Sequence, residues 1–98
     1  MIRVLVAYPR TEGTKFDTDY YLATHMDLVR AKLPGIVRAE ADIALDATQP
    51  YYAVAHMVFE SMETFGAAMG APSASEVMAD IANYTDVAPT LQISTITE

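Results

Sequence analysis

Two stretches of this chain, Ile2–Tyr8 and Tyr51–Glu60, are apolar on both of the faces that a strand presents. Ile2, Val4, Val6 and Tyr8 alternate with Leu5 and Ala7, with Arg3 near the start. Tyr52, Val54, His56 and Val58 alternate with Ala53, Ala55, Met57 and Phe59. A half-exposed antiparallel strand carries polar residues on every second position, so strands greasy on both sides need cover on both sides. Helices can supply only one of those covers in a chain of 98 residues, which has room for a single domain, residues 1–98. Such a chain buries roughly two-thirds of its unfolded surface.

The other elements follow from the same alternation. Ile36–Leu45 sets Val37, Ala39, Ala41 and Ile43 against Arg38, Glu40 and Asp42, the pattern of a half-exposed edge strand. Thr90–Thr97 predicts a last strand, with Leu91, Ile93 and Thr95 against Gln92, Ser94 and Ile96. Lys15–Leu33 predicts a helix with Asp17 as N-cap, a Phe16–Tyr21 staple and Pro34-Gly35 as the stop. Tyr21, His25 and Leu28 or Val29 share its buried face. Ser61 caps a second helix, Met62–Met69, burying Met62, Phe65 and Met69. Ser73 and Glu76 read as a capping box opening a third, which runs to about Asn83 on Val77, Met78 and Ile81.

The order strand, helix, strand, strand, helix, helix, strand is an α+β, ferredoxin-like split βαβ with a four-stranded antiparallel sheet. Right-handed crossovers put the helices on one face of that sheet. A second copy is the expected cover for the other, giving a dimeric α/β barrel with a barrel-like space between subunits or along each sheet.

Composition narrows the function classes. A net charge of −7 without a basic patch argues against nucleic acid. No cysteine means no disulfide framework, no thiolate nucleophile and no Cys-ligated metal. No apolar run approaches membrane-spanning length, and a cytoplasmic protein is expected.

The opening IRVLVAYP, the helix carrying FDTDYYLATHMDLV, the VFESMETF segment and the closing PTLQISTI together resemble the EthD family, named for ethyl tert-butyl ether degradation. The resemblance covers nearly the whole chain. It implies dimeric α/β barrels, an architecture shared with isomerases, antibiotic-type monooxygenases and polyketide cyclases, so the fold alone does not choose a chemistry. Some members are labelled reductases, yet no dinucleotide fingerprint occurs here.

Candidate residues follow. His25 is the first choice for a general acid or base, since imidazole titrates near neutrality; its alternative role is to brace the first helix. His56 is a second proton shuttle or a satisfied interface histidine, and Tyr8 could polarise a ligand oxygen. Tyr21, Tyr52, Val54, Gln92 and Ser94 are the expected ligand contacts. Tyr20, Tyr51 and Tyr84 read as amphipathic packing at a rim, and the methionines as core filler. The histidines lack metal-ligand spacing, so no metal and no cofactor are expected. The reading is a cofactor-free enzyme of xenobiotic or polyketide metabolism that transfers protons on a lipophilic, aromatic or lactone-like compound by isomerisation, cyclisation or dehydration. Cofactor-independent oxygenation, as an oxidoreductase, is a variant that needs an electron-rich substrate. The alternatives are a dimeric binding module for a hydrophobic metabolite, an accessory protein to a degradative oxygenase, or a purely structural dimer with a solid interior.

Overall fold

A computed structural model describes residues 1–97. Four strands, β1 (Ile2–Pro9), β2 (Arg38–Ile43), β3 (Tyr51–Phe59) and β4 (Thr90–Thr95), form one antiparallel sheet in the order β2-β3-β1-β4. The two strands that are apolar on both sides, β1 and β3, are the central pair, and the alternating β2 and β4 lie at the edges. This is the ferredoxin-like fold expected from the element order.

The helices cover one face. Helix α1 runs through Thr18–Tyr20, a π turn at Tyr21–His25, and Met26–Lys32. Its N-terminus is capped by Asp17, whose carboxylate accepts from the Tyr20 N–H at 3.1 Å, and Phe16 packs on Tyr21 with ring centroids 5.0 Å apart. The π turn departs from the regular helix that the spacing predicts. The Met26 N–H reaches back to the Tyr21 carbonyl, adding a residue to that turn. Tyr21, His25, Met26, Val29 and Leu33 all become buried, so the buried stripe shifts by one position after His25 and Leu28 moves to its margin.

Helix α1 ends at Lys32, and the turn that follows holds Gly35 at φ +80°, where a Cβ would lie 2.7 Å from Thr64 Cγ2. Glycine is needed on both counts. Helix α2 is Met62–Gly70, capped by Ser61, and α3 is Ala74–Asp80, continuing as a 3₁₀ turn at Ile81–Asn83. The expected capping box is not formed. Ser73 Oγ instead donates to the Lys32 carbonyl at 2.6 Å, tying α3 to the end of α1, while Glu76 meets Lys32 Nζ at 3.6 Å.

Two further expectations are corrected. Met62, Met69 and Met78 are exposed, leaving Ala68 as the buried residue of α2. Tyr84 is not at a rim: it is 2% exposed, and the segment after it is strapped to the α1 entrance by Asp17 N–H to Tyr84 O (2.8 Å) and Thr85 Oγ1 to Lys15 O (2.6 Å). The helix-free face is mixed. Leu5, Ala7, Val54 and Val58 form a central apolar stripe, flanked by Arg3, Arg38, Glu40 and Asp42 and by Gln92 and Ser94.

Candidate functional site

The enclosed apolar space lies on the helix side of the sheet. It is a cavity of about 110 Å³ between β1, β3, β4 and the three helices. Val4 and Val6 form its floor, Val29 and Val77 its sides, and Met69 and Met78 its mouth. Leu91, on the edge strand beside Val6, is exposed at that mouth. Of the methionines that the sequence marks as core, Met26 and Met57 are buried, whereas Met69 and Met78 stand at the mouth, soft and adaptable in shape.

Polar groups occur at one end only. Tyr8, Tyr21 and His25 line the cavity there. They belong to an aromatic cluster with Phe16 and Tyr84, in which His25 lies 4.6 Å from the Tyr84 ring and stacks on Tyr21 at 5.7 Å and 17°. Tyr8 and Tyr84 share a hydroxyl–hydroxyl hydrogen bond of 2.6 Å. The Tyr21 hydroxyl is buried and has no partner among the described residues. Burial, with the charges of Tyr8 and Asp42 adding to it, pushes the Tyr21 phenol well above its ordinary value, so it stays protonated.

His25 is 4% exposed, and its Nδ1 lies 2.9 Å from Asp80 Oδ2. Asp80 is itself buried, and its other oxygen accepts from Tyr20 Oη at 2.6 Å and from Asn83 Nδ2 at 3.0 Å. Burial pushes the Asp80 carboxyl up, but the hydrogen bonds from Tyr20, Asn83 and His25 outweigh it and hold the group below its ordinary value. Burial also lowers the His25 pKa, against the hydrogen bond and charge of Asp80, which raise it; burial prevails. The resting pair is a neutral imidazole against a carboxylate. The carboxylate accepts the Nδ1–H, which leaves Nε2 as the acceptor nitrogen. Nε2 has no hydrogen-bond partner among the described residues.

The remaining sequence candidates lie elsewhere. His56, Gln92 and Ser94 line a shallow depression on the helix-free face, across the sheet from His25. His56 Nε2 meets Asp42 Oδ2 at 2.7 Å, and Gln92 Nε2 donates to Ser94 Oγ at 3.1 Å. Val54 is paired with Asp42 on that same face. Tyr52 donates to the Thr14 carbonyl at 2.9 Å, stacks on Phe16 and carries the Arg10 guanidinium 4.4 Å over its ring. The structure thus joins His25, Tyr8 and Tyr21 in one site and separates them from His56, Tyr52, Val54, Gln92 and Ser94. Among the described residues, no group of three or more His, Cys, Asp or Glu is disposed to hold a metal ion. No helix there is long and apolar enough to cross a membrane.

Sequence reasoning missed Asp80 and its supports. The signal was present: Val77, Asp80, Ile81 and Tyr84 follow the i, i+3, i+4, i+7 spacing of a buried stripe, with an acid in its middle. An acid on such a stripe calls for a partner.

Known proteins share this fold along most of the chain. A crystallised EthD-like protein from Ralstonia eutropha JMP134 is 39% identical and superposes with a TM-score of 0.81, over 95% of this chain and 88% of that one. A dimeric protein of unknown function and ferredoxin-like fold from Bacteroides fragilis, 9% identical, gives a TM-score of 0.71 over 97% of this chain and 95% of its own. An uncharacterised 11.0 kDa protein from the thcB-thcC intergenic region of Rhodococcus erythropolis is 31% identical over 87 residues, 86% of this chain and 84% of its own length. The EthD domain model matches residues 13–88, from the loop before α1 to the strap after Tyr84, and so takes in both His25 and Asp80; the chain belongs to the EthD family.

Proposed function

We propose that this protein is a small cytosolic enzyme that moves a proton on an apolar ring compound held in the helix-side cavity. The observation that carries this reading is the buried His25–Asp80 pair at the one polar end of an otherwise apolar chamber. The neutral imidazole takes a proton from a substrate C–H or O–H at Nε2, and the imidazolium so formed is stabilised by Asp80 at Nδ1. Return of that proton to a different substrate atom completes an isomerisation. Its return to a departing hydroxyl releases water and completes a dehydration. Tyr8 and Tyr21 supply hydroxyls for the substrate oxygen on which negative charge develops.

The protein acts as a homodimer through its helix-free face. The apolar stripe of Leu5, Ala7, Val54 and Val58 supports this, as does the dimeric relative of the same fold. His56 and Asp42 then belong to the interface and not to the reacting centre.

Deuterium exchange tests the reading. One-ring ketones, lactones and phenols are incubated with the protein in D₂O, and label at exchangeable carbon positions is followed by NMR. Label should enter at least one probe class, and His25→Asn should abolish it in a folded protein. Full exchange by His25→Asn would overturn the assignment. A ring compound that co-purifies and is recovered unlabelled after long incubation would replace the enzyme with a binding module.

A further inference from the structure

We infer that the cavity ligand is a neutral, single-ring compound with one hydroxyl or enolisable carbonyl oxygen, held so that this oxygen meets the Tyr21 hydroxyl and His25 while the rest lies among aliphatic side chains. This deepens the proposed function and rests on it.

Four observations converge. The first is size. About 110 Å³ is comparable to the ~150 Å³ apolar cavity that holds a benzene ring, and the soft methionine mouth extends it outward. The second is polarity at a single end. Tyr8, Tyr21 and His25 are the cavity's polar side chains; the Tyr8 hydroxyl shares a hydrogen bond with Tyr84, and that of Tyr21 has no partner among the described residues.

The third is a vacant hydrogen-bonding capacity. The Tyr21 ring lines the cavity and its hydroxyl is buried without a partner, a costly arrangement that a ligand oxygen relieves once the ring shifts to admit it. His25 Nε2 is an acceptor waiting for a donor. A hydroxyl can satisfy both, accepting from Tyr21 and donating to Nε2. A carbonyl accepts from Tyr21 and presents its α C–H to the imidazole.

The fourth is charge. No Lys or Arg lines the cavity among the described residues, and the carboxylate nearest its polar end belongs to Asp80 in a chain of net charge −7. A carboxylate ligand would be desolvated there with no cation to offset the loss. An ammonium gains little, because both Asp80 oxygens already accept hydrogen bonds.

Four ring probes separate the terms: phenol, toluene, benzoate and benzylammonium. Each is titrated at pH 7 into the full-length protein, and the methyl signals of Met26, Met57, Met69 and Met78 and the His25 ring signals are followed by NMR. Phenol should bind at least tenfold tighter than either ion and severalfold tighter than toluene. In Tyr21→Phe the advantage of phenol over toluene should shrink to what the hydrogen bond to His25 Nε2 leaves, while toluene binds as before, which also shows that the cavity is intact. Benzoate binding as well as phenol, or phenol no better than toluene, overturns this inference and leaves the cavity reading standing. Failure of all four probes, toluene included, removes the cavity as a ligand site and takes the proposed function with it.

Discussion

His25 from the first helix and Asp80 from the last meet at 2.9 Å, the carboxylate also held by Tyr20 and Asn83. Every donor around Asp80 is a neutral side chain except His25 in its protonated form, so the carboxylate's charge acts chiefly on the imidazole. Asp80→Asn should therefore lower the His25 pKa further, since burial remains and the raising influence goes. Titration of the His25 ring signals by NMR checks this directly. A merely structural Asp80 would leave that titration unmoved. The same variant should reduce proton exchange on a responsive substrate by about 10²–10⁴, the usual span of general acid–base catalysis.

Acid should unfold the protein in two stages. The folded His25 pKa lies below its ordinary 6.5, so on descending through that value the unfolded chain takes up a proton that the native state refuses, and stability falls until the folded pKa is passed. Asp80, held below its ordinary 3.8, contributes stability above that value and loses it as pH drops through its folded pKa. Urea midpoints measured from pH 7.5 to 4 should decline through the first stage. His25→Gln, which cannot titrate, should flatten that part of the profile.

The fold was legible because its determinants are local or periodic. The two-faced apolar strands placed themselves at the sheet centre, and the Asp17 cap and Phe16–Tyr21 staple fixed the α1 entrance. The site was legible in part. His25, Tyr8 and Tyr21 could be named because each is a polar group on an apolar face. Which side of the sheet each one reaches depends on strand register, which puts His56 opposite Leu5 and Glu40 on the open face. The π turn carried no sequence signal; its consequence is that Tyr21, His25 and Met26 are all buried together. The capping box failed because Ser73 found the Lys32 carbonyl instead of its own helix.

The Tyr21 hydroxyl is a functional group that the fold does not need. It is buried and unpartnered, so Tyr21→Phe removes a desolvation penalty without removing a hydrogen bond. The variant should be more stable by about 1 kcal/mol, the low end of the usual cost of an unsatisfied buried group. A higher urea midpoint at unchanged slope would register the gain. A loss of stability would mean that the hydroxyl is satisfied within the fold, and that its availability to a ligand is fictitious.

Gly35 couples the exit of α1 to the start of α2. Its positive φ and the 2.7 Å approach to Thr64 Cγ2 act separately, so Gly35→Ala should cost about 1–3 kcal/mol. Adding Thr64→Ser removes the clashing methyl but keeps the hydroxyl that meets Ser61 Oγ at 3.0 Å. The double variant should therefore recover only the steric share of the loss in thermal melts. Full recovery would assign the whole requirement to crowding, and none would assign it to the backbone.

Leu5 stands at the middle of the helix-free face, between His56 on β3 and Gln92 on β4. If that face pairs with its twin, an acid there is brought against its own symmetry mate and the central stripe at once. Leu5→Glu should then convert a dimer, seen by light scattering at micromolar concentration, into a monomer. The cavity makes a sharper demand. The lining residues of one chain lie on the other side of the sheet, so the monomeric variant should still bind toluene with near wild-type affinity. A wild-type protein that is already monomeric would remove the interface. Loss of toluene binding on dissociation would show that the twin subunit shapes the chamber, and that a single chain does not hold the site alone.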